Sequence, residues 1–196
     1  MNIGWDVDET LLEFVKPLVD FLATQRISVP SYEKTYCYDL WRVWDCTKKE
    51  AFRQVGLFYG SPAFLGINAY EGLPELVHDL SKRHKHYAIT SRSSSLEIVT
   101  RTQIERNFPD LFADVLHTGQ YSLDSGNGMD TKGTLAKKLG IKLFIEDSLS
   151  HAEEVASYGV RVLLLTRPWN VVSEVPLGVT RIDDLREIPR YINGRR

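Results

Sequence analysis

The chain has 196 residues, of which 43% are hydrophobic and 26% charged, and its formal net charge is −2. This composition provides enough apolar material for a core and excludes a disordered chain, and the balance of charge excludes the electrostatic footprint of a duplex nucleic-acid binder. The length slightly exceeds that of a usual domain, so we expect one domain that carries an insertion.

Short apolar segments predict buried strands at residues 2–7, 86–90, 114–117, 143–146 and 160–165. Helical patterns separate several of these segments, at residues 73–83, 132–139 and 151–158. The last two patterns end at Gly140 and Gly159, which can take the left-handed conformation that closes a helix. Repeated strand–helix–strand order is typical of a mostly parallel sheet. We therefore expect an α/β fold with a Rossmann-like core and helices on both faces of the sheet.

Capping patterns predict where three helices begin. Ser94 and Ser150 each stand three residues before a glutamate, which is the pattern of a capping box. Asp130 is expected to cap the helix that Lys132 opens. Arg92, close to one of these helix starts, is expected to pair with surface carboxylates.

Residues 11–70 lack a convincing strand pattern. Apolar residues between Leu11 and Leu22 share one helical face, and Pro17 is expected to bend that helix. Aromatic residues crowd the next part, at Tyr36, Tyr38, Trp41, Trp44, Phe52, Phe58, Tyr59 and Phe64. We expect residues 11–70 to form a small helical subdomain inserted after the first strand, and residues 1–10 and 71–196 to form the core. Phe14 and Trp44 are candidates for stacking on a ligand ring, and residues 122–128 are expected to form a flexible loop.

The sequence lacks the patterns that are typical of membrane-spanning and secreted proteins. No aliphatic run is long enough to cross a bilayer, and the N-terminus has neither a basic nor an apolar signal region. Two cysteines, Cys37 and Cys46, can supply neither a disulfide framework nor a zinc site. We expect a soluble cytoplasmic protein without a membrane partner, and the sequence does not indicate an oligomeric state.

Polar residues follow the predicted strands, where open parallel sheets bind their ligands. The residues expected to meet at this edge are Asp6, Asp8, Thr90, Ser91, Lys132, Glu146 and Asp147. Converging carboxylates repel one another unless a cation joins them, and Mg²⁺ favours carboxylate, water and phosphate oxygens. Asp6 and Asp147, with a backbone carbonyl near Asp8, are the predicted metal ligands. A metal site of this kind, with a lysine and a hydroxyl beside it, can bind a phosphoryl group. Of two neighbouring carboxylates, one can attack the phosphorus while the other transfers the proton of the leaving group.

These segments resemble the four motifs of the haloacid dehalogenase-like hydrolases, over residues 2 to about 170. Asp-Val-Asp-Glu-Thr-Leu from Asp6 resembles the first motif, Ile-Thr ending at Thr90 the second, Lys132 the third, and Ile-Glu-Asp-Ser around Asp147 the fourth. The resemblance implies that Asp6 is a nucleophile that forms an aspartyl-phosphate and that Asp8 is the acid and base. It also implies that Thr90 and Lys132 bind the phosphate, that Asp147 anchors Mg²⁺, and that residues 11–70 form a cap. Ser91 is expected to contribute at most a backbone N–H to phosphate binding.

A narrower resemblance is to the 5′(3′)-deoxyribonucleotidase-like branch. It is carried by residues 58–64, 70–73, 90–92, 130–133, 146–148 and 167–170. Two positions depart from the pattern. Glu9 stands where a small residue usually follows the second aspartate and is expected to add a charge near the site, and Glu146 replaces an aspartate and is expected to support the site rather than bind metal.

The predicted function is a Mg²⁺-dependent 5′-nucleotidase that acts on nucleoside monophosphates. The alternatives are a phosphatase of a sugar phosphate, of another small phosphate or of a nucleic-acid 3′-phosphate end. A receiver module that is phosphorylated on aspartate is disfavoured, because the third predicted strand does not end in aspartate. A non-catalytic phosphate-binding relative is also disfavoured, because Asp6 and Asp8 are both present.

Overall fold

The computed structural model describes residues 1–118, 130–172 and 174–192. The strands are β1 (Asn2–Trp5), β2 (Lys85–Thr90), β3 (Phe112–His117), β4 (Ile141–Glu146), β5 (Arg161–Leu165) and β6 (Val179–Ile182). They form one parallel sheet in the order β3-β2-β1-β4-β5-β6. The α/β fold class is therefore confirmed. The strand β6 was not predicted from the sequence, because it has only four residues and only Val179 and Ile182 among them are apolar.

The helices are α1 (Val15–Thr24), α2 (Leu40–Val43), α3 (Lys48–Tyr59), α4 (Pro62–Leu65), α5 (Leu73–Ser81), α6 (Glu97–Asn107), α7 (Lys132–Lys138), α8 (Leu149–Ser157) and α9 (Ile188–Ile192). Gly140 and Gly159, which follow α7 and α8, have φ values of 62° and 79°, as predicted. Cys37 and Cys46 are free thiols. Among the described residues, no helix is long and apolar enough to span a membrane.

Several predicted helix starts are wrong. Helix α1 begins at Val15 rather than Leu11, so Pro17 lies in the first turn, where its missing N–H costs nothing. Ser93 rather than Ser94 caps the 3₁₀ turn before α6.

The starts of α7 and α8 also differ from expectation. Helix α8 begins before Ser150, so that residue cannot be its cap. Thr131 caps α7 by accepting the Thr134 N–H, whereas the Asp130 carboxylate accepts from the Thr134 hydroxyl and Lys138. The motif rules located each helix to within a few residues, but side-chain geometry decided which residue caps it.

The inserted segment, residues 11–70, contains helices α1 to α4 and no named strand. Its aromatic residues Phe14, Phe58 and Phe64 pack edge to face with ring centroids 5.4 to 6.4 Å apart. The same apolar cluster continues to Trp5 of β1 and Leu143 of β4. The inserted segment and one face of the sheet therefore share one continuous apolar cluster. The loop predicted at residues 122–128 lies outside the described residues.

Side chains on neighbouring strand positions alternate between two apolar clusters. Leu143 and Ile145 belong to the cluster that also contains Val77 of α5 and Ile188 of α9, whereas Phe144 belongs to the cluster of α7 and α8 with Ala152 and Leu164. This alternation is that of a sheet covered on both faces, and it leaves the strand ends as the open edge of the fold.

Candidate active site

The candidate site lies where β1 meets β4. These strands are neighbours in the sheet although β2 and β3 come between them in the chain, and such a reversal of strand order opens a crevice at the carboxyl ends. Trp5 pairs with Ile145, and the Asp6 N–H donates to the Ile145 carbonyl at 2.9 Å. Asp6 is therefore held beside Glu146, the last residue of β4.

Lys132 joins these two carboxylates. Its Nζ donates to Asp6 Oδ1 at 2.6 Å and to Glu146 Oε2 at 2.8 Å, and its side chain is buried. Burial alone would lower the pKa of the Lys132 ammonium, but the two carboxylates raise it above its ordinary value. Burial also favours a raised pKa for Glu146, which Lys132 and His151 overcome, so that its pKa falls to about 2. The Lys132–Glu146 pair is therefore fully ionised near neutral pH.

Of the two carboxylates that Lys132 contacts, Asp6 has the higher pKa. Burial and the charge of Glu146 raise its pKa to about 6, in opposition to Lys132. Asp147 is also buried, and burial together with Glu146 and Asp6 raises its pKa well above the ordinary value. Its Oδ2 accepts from Trp169 Nε1 at 2.9 Å, and Asn170 Nδ2 donates to its carbonyl at 2.7 Å. The site thus contains more negative charge than Lys132 neutralises.

This excess of carboxylate fits a divalent cation. One oxygen each of Asp6, Glu146 and Asp147 lies within 4.8 Å of the others. Glu146 already accepts from Lys132 and from the backbone N–H of Ser148 at 3.0 Å, so Asp6 and Asp147 are the residues with oxygen atoms to offer. Hard oxygen donors of this kind suit Mg²⁺. Asp6 and Asp147 remain the predicted carboxylate ligands, with Glu146 in the supporting role expected for it.

Asp8 faces a different cation. The guanidinium of Arg92 donates to Asp8 Oδ2 at 2.9 Å and to Oδ1 at 2.5 Å, in a bidentate pair. Arg92 is 3% exposed, and its Nη1 also donates to Gln103 Oε1 at 2.7 Å. The expectation that Arg92 pairs with surface carboxylates is therefore wrong. Arg92 contacts both oxygens of the Asp8 carboxylate, so the backbone carbonyl of Asp8 stays its predicted metal ligand.

The remaining predicted site residues lie beside these carboxylates. Thr90 and Ser91 are buried at the end of β2, and Thr90 Oγ1 accepts the Arg92 N–H at 3.1 Å. Ser91 Oγ accepts from the Thr118 hydroxyl at 3.4 Å. Six of the seven residues expected to meet at this edge line one cavity of about 550 Å³: Asp6, Asp8, Thr90, Ser91, Lys132 and Asp147.

The inserted segment supplies the opposite wall of this cavity. That wall consists largely of aromatic and aliphatic side chains, namely Phe14, Tyr38, Leu40, Trp41, Phe52, Val55 and Tyr59. Phe14 is present as proposed from the sequence, whereas Trp44 is not; it packs against the apolar cluster, and Trp41 lines the cavity instead. Trp41 lies within the short helix α2 and Trp44 directly follows it, and their spacing alone did not show which one lines the cavity.

Glu9 does not line the cavity. Its carboxylate points toward the start of α1 and accepts the N–H groups of Phe14 and Val15 at 2.9 and 2.5 Å. The charge that Glu9 was expected to add near the site therefore lies outside the cavity.

The parallel sheet with helices on both faces is the α/β fold of several solved structures that are hydrolases of the haloacid dehalogenase (HAD) type. Among solved structures, the chain is similar to a HAD-like hydrolase from Streptococcus pneumoniae, with a TM-score of 0.67 and 13% identity over 97% of each chain. It is also similar to a HAD family hydrolase from Deinococcus radiodurans R1 with bound phosphate and sodium, with a TM-score of 0.66 and 15% identity over 97% of this chain and 94% of that one.

A third similar structure is the L-2-haloacid dehalogenase of Xanthobacter autotrophicus with chloropropionic acid covalently bound, with a TM-score of 0.61 and 13% identity over 100% of this chain and 99% of that one. At these identities the likeness concerns the fold. A comparison with protein-family models finds no match to the sequence, and a comparison with curated proteins also finds none. Since a fold can serve different reactions, the chemistry has to be inferred from the residues of the site.

Proposed function

We propose that this protein is a Mg²⁺-dependent phosphomonoester hydrolase that works through an aspartyl-phosphate. The observation that carries the proposal is the placement of Asp6, a buried strand-end carboxylate 2.6 Å from Lys132, in one cavity with Asp8, Thr90 and Asp147. A carboxylate nucleophile, a second carboxylate for proton transfer and donors for the phosphoryl oxygens are the parts that this reaction requires.

In the proposed reaction, the free oxygen of Asp6 attacks phosphorus and the bond from phosphorus to the leaving oxygen breaks. Asp8 gives a proton to that oxygen, then takes one from a water molecule that attacks the aspartyl-phosphate, and phosphate leaves as Asp6 is restored. Lys132 holds Asp6 in place, and Thr90 and Ser91 bind phosphoryl oxygens. Asp6, Asp147 and the Asp8 carbonyl would hold Mg²⁺, which would supply positive charge to neutralise the phosphoryl group. A Bacillus subtilis protein assigned to the HAD hydrolases is bound to magnesium in a structure of the same fold, with a TM-score of 0.65.

For the substrate, we propose a nucleoside monophosphate, which makes the protein a 5′-nucleotidase. The cavity of about 550 Å³ has a charged floor and an aromatic opposite wall that includes Trp41 and Phe52. A phosphate at the floor and a flat base against the wall would match these two surfaces, because aromatic rings stack on bases without needing hydrogen bonds.

The second candidate is a phosphatase of a sugar phosphate or another small phosphate. A row of serine hydroxyls on the core side of the cavity favours it: Ser93, Ser94, Ser95 and Ser148. Hydroxyls of this kind suit a polyol, and structures of the same fold include proteins assigned as a phosphoglycolate phosphatase and a β-phosphoglucomutase.

The test measures phosphate release from nucleoside 5′- and 3′-monophosphates, sugar phosphates and a 3′-phosphorylated oligonucleotide, with Mg²⁺ and with chelator. Asp6→Asn is the inactive control, and Trp41→Ala separates the two substrate classes. We expect release from nucleotides that needs Mg²⁺ and a KM that rises in Trp41→Ala. Release from sugar phosphates alone, unchanged in Trp41→Ala, would favour the second candidate, and no release from any substrate would contradict a phosphatase.

A further inference from the structure

Glu9 has an unusual position for a glutamate. Its side chain is 1% exposed, and its φ of 61° lies in the left-handed region, where residues other than glycine are strained. It stands where the chain leaves β1 for the inserted segment. A residue kept in a strained conformation with a buried charge needs compensating contacts, and Glu9 has them on both sides.

The Glu9 carboxylate binds both ends of the inserted segment, where the chain leaves the core and where it returns to it. On the outgoing side, Oε1 accepts the N–H groups of Phe14 and Val15, at the start of α1. On the returning side, Oε2 accepts from the Tyr70 hydroxyl at 2.7 Å. The Tyr32 hydroxyl, from within the inserted segment, donates to the same Oε2 at 3.3 Å.

Arg167, in the loop after β5, attaches this cluster to the core. Its guanidinium donates to the Glu9 carbonyl at 2.9 and 2.6 Å and lies 3.8 Å from Glu9 Oε2. It also lies over the Tyr70 ring, 4.4 Å from the centroid. The backbone oxygen and both carboxylate oxygens of Glu9 therefore have partners, which come from the core and from the beginning, the middle and the end of the inserted segment.

We propose that Glu9 is a positioning residue that clamps the inserted segment over the strand-end carboxylates. If the inserted segment rotated about its two connections, a buried carboxylate would lose charge-assisted hydrogen bonds, which are the strong ones. The clamp sets the distance between the aromatic wall and Asp6, and so fits the cavity to the part of a substrate beyond its phosphate. That catalytic consequence rests on the proposed phosphatase function, whereas the clamp itself does not.

Because the φ of Glu9 is positive, glycine is a suitable replacement for testing this role. Glu9→Gly removes the carboxylate and at the same time relieves the backbone strain, so the loss of contacts is not compounded by a new conformational cost. Glu9→Gln keeps a carbonyl oxygen for the N–H groups of Phe14 and Val15 and is the conservative variant. Glu13→Gln, which removes a charge four residues away whose carboxylate has no hydrogen bond among the described residues, is the matched control.

The first readout is amide hydrogen exchange at Phe14 and Val15 in substrate-free protein. We expect exchange at least about tenfold faster in Glu9→Gly, partial recovery in Glu9→Gln and no change in Glu13→Gln, since local opening governs exchange. Wild-type exchange in Glu9→Gly would overturn the clamp. If Glu9→Gly does not fold, Tyr70→Phe together with Glu9→Gln takes its place, and the same exchange decides.

The second readout compares the best substrate of the panel with acetyl phosphate, which is too small to reach the aromatic wall. We expect Glu9→Gly to raise KM for the large substrate about tenfold and to leave acetyl phosphate hydrolysis within roughly twofold of wild type. Equal loss on both substrates would show a merely structural role and overturn the proposal. If wild-type protein hydrolyses neither substrate, the phosphatase function fails, and hydrogen exchange still decides the clamp.

Discussion

Asp6 and Asp8 are separated by one residue and are held by different cations. Lys132 contacts one oxygen of Asp6, which leaves the other oxygen for attack, whereas Arg92 contacts both oxygens of Asp8. Two carboxylates in unlike environments can take unlike roles, as the proposed division between nucleophile and acid–base requires.

For Asp6→Asn, we expect turnover to fall by roughly a thousandfold or more, because an amide is a poor nucleophile toward phosphorus. The fold is expected to persist, since the amide oxygen can still accept from Lys132. A phosphate-release assay measures the loss of turnover, and circular dichroism shows whether the fold persists. Full activity in this variant would show that Asp6 is not the nucleophile.

Asp8→Asn is expected to differ from Asp6→Asn in both stability and activity. The buried Arg92 loses its anionic partner, which costs on the order of 3 kcal/mol of unfolding free energy. Loss of the proton donor should reduce kcat/KM more for an alkyl phosphate than for p-nitrophenyl phosphate, whose leaving group needs little protonation. Urea unfolding and kinetics with both substrates test this, and an equal loss on both would remove Asp8 from proton transfer.

At the scale of the elements, α7 and α8 together place Lys132. The first turn of α7 is held by Thr131 and by the Glu154 carboxylate of α8, which accepts the Gly133 N–H at 2.9 Å. A Cβ on Gly133 would collide with the Tyr158 ring and would lie 2.5 Å from Glu154 Oε1. The close approach of these two helices therefore depends on glycine.

We expect Gly133→Ala to lower the unfolding free energy by about 1–3 kcal/mol, the usual cost of overpacking, and to reduce activity by shifting Lys132. The matched control is Gly56→Ala in α3, where a Cβ meets nothing within 4 Å. That variant is expected to be more stable by roughly 0.5–1 kcal/mol, because alanine favours the helix. Denaturant unfolding of both variants measures the contrast, and equal effects would contradict it.

His86 couples β2 to β1. Its Nδ1 accepts the Trp5 indole N–H at 2.9 Å, so this nitrogen must be unprotonated, and burial lowers its pKa from 6.5 to about 4. Because the unfolded chain takes up the proton first, this contribution is complete above pH 6.5 and is lost as pH falls from 6.5 toward 4. The loss amounts to roughly 3 kcal/mol.

The measurement is the unfolding free energy from pH 4 to pH 7 in wild type and His86→Gln, which keeps an oxygen acceptor for Trp5. The difference between the two proteins cancels the other titrating groups, and we expect the wild-type free energy to fall more steeply with acid. Parallel curves would mean that His86 does not retain its neutral form in the folded state.

For the whole molecule, the site lowers the free energy of unfolding, because Asp6, Glu146 and Asp147 are buried close together. The raised pKa of Asp147 means that its charge destabilises the metal-free fold. The two apolar clusters on the faces of the sheet must offset this cost when no cation is bound.

Asp147→Asn is therefore expected to raise the stability of the metal-free protein, while its amide oxygen still accepts from Trp169. Wild type should gain about 2.7 kcal/mol when Mg²⁺ reaches a hundred times its Kd, and the variant should gain far less. Thermal unfolding with Mg²⁺ and with chelator compares the two, and activity should require much more Mg²⁺ in the variant. An identical Mg²⁺ response would remove Asp147 from the ligands.

Local patterns were sufficient for the order of the first five strands and for the residues at the strand ends. Asp6 and Asp8 follow the first apolar segment directly, and Gly140 and Gly159 stand at helix ends. These features depend on a few neighbouring residues, and the physics that governs them acts over the same short range. The predicted parallel sheet then brought the carboxylates to one edge without further information.

Contacts between distant residues were decided by the tertiary structure alone. Arg92 reaches Asp8 across 84 positions of the chain, and Tyr70 reaches Glu9 across 61. No local pattern assigns such partners, because burial and charge pairing depend on the order in which strands join the sheet and on how the inserted segment packs against it. The sequence by itself determined which groups are available for chemistry; the tertiary structure decided which cation holds each carboxylate and which aromatic side chains face them.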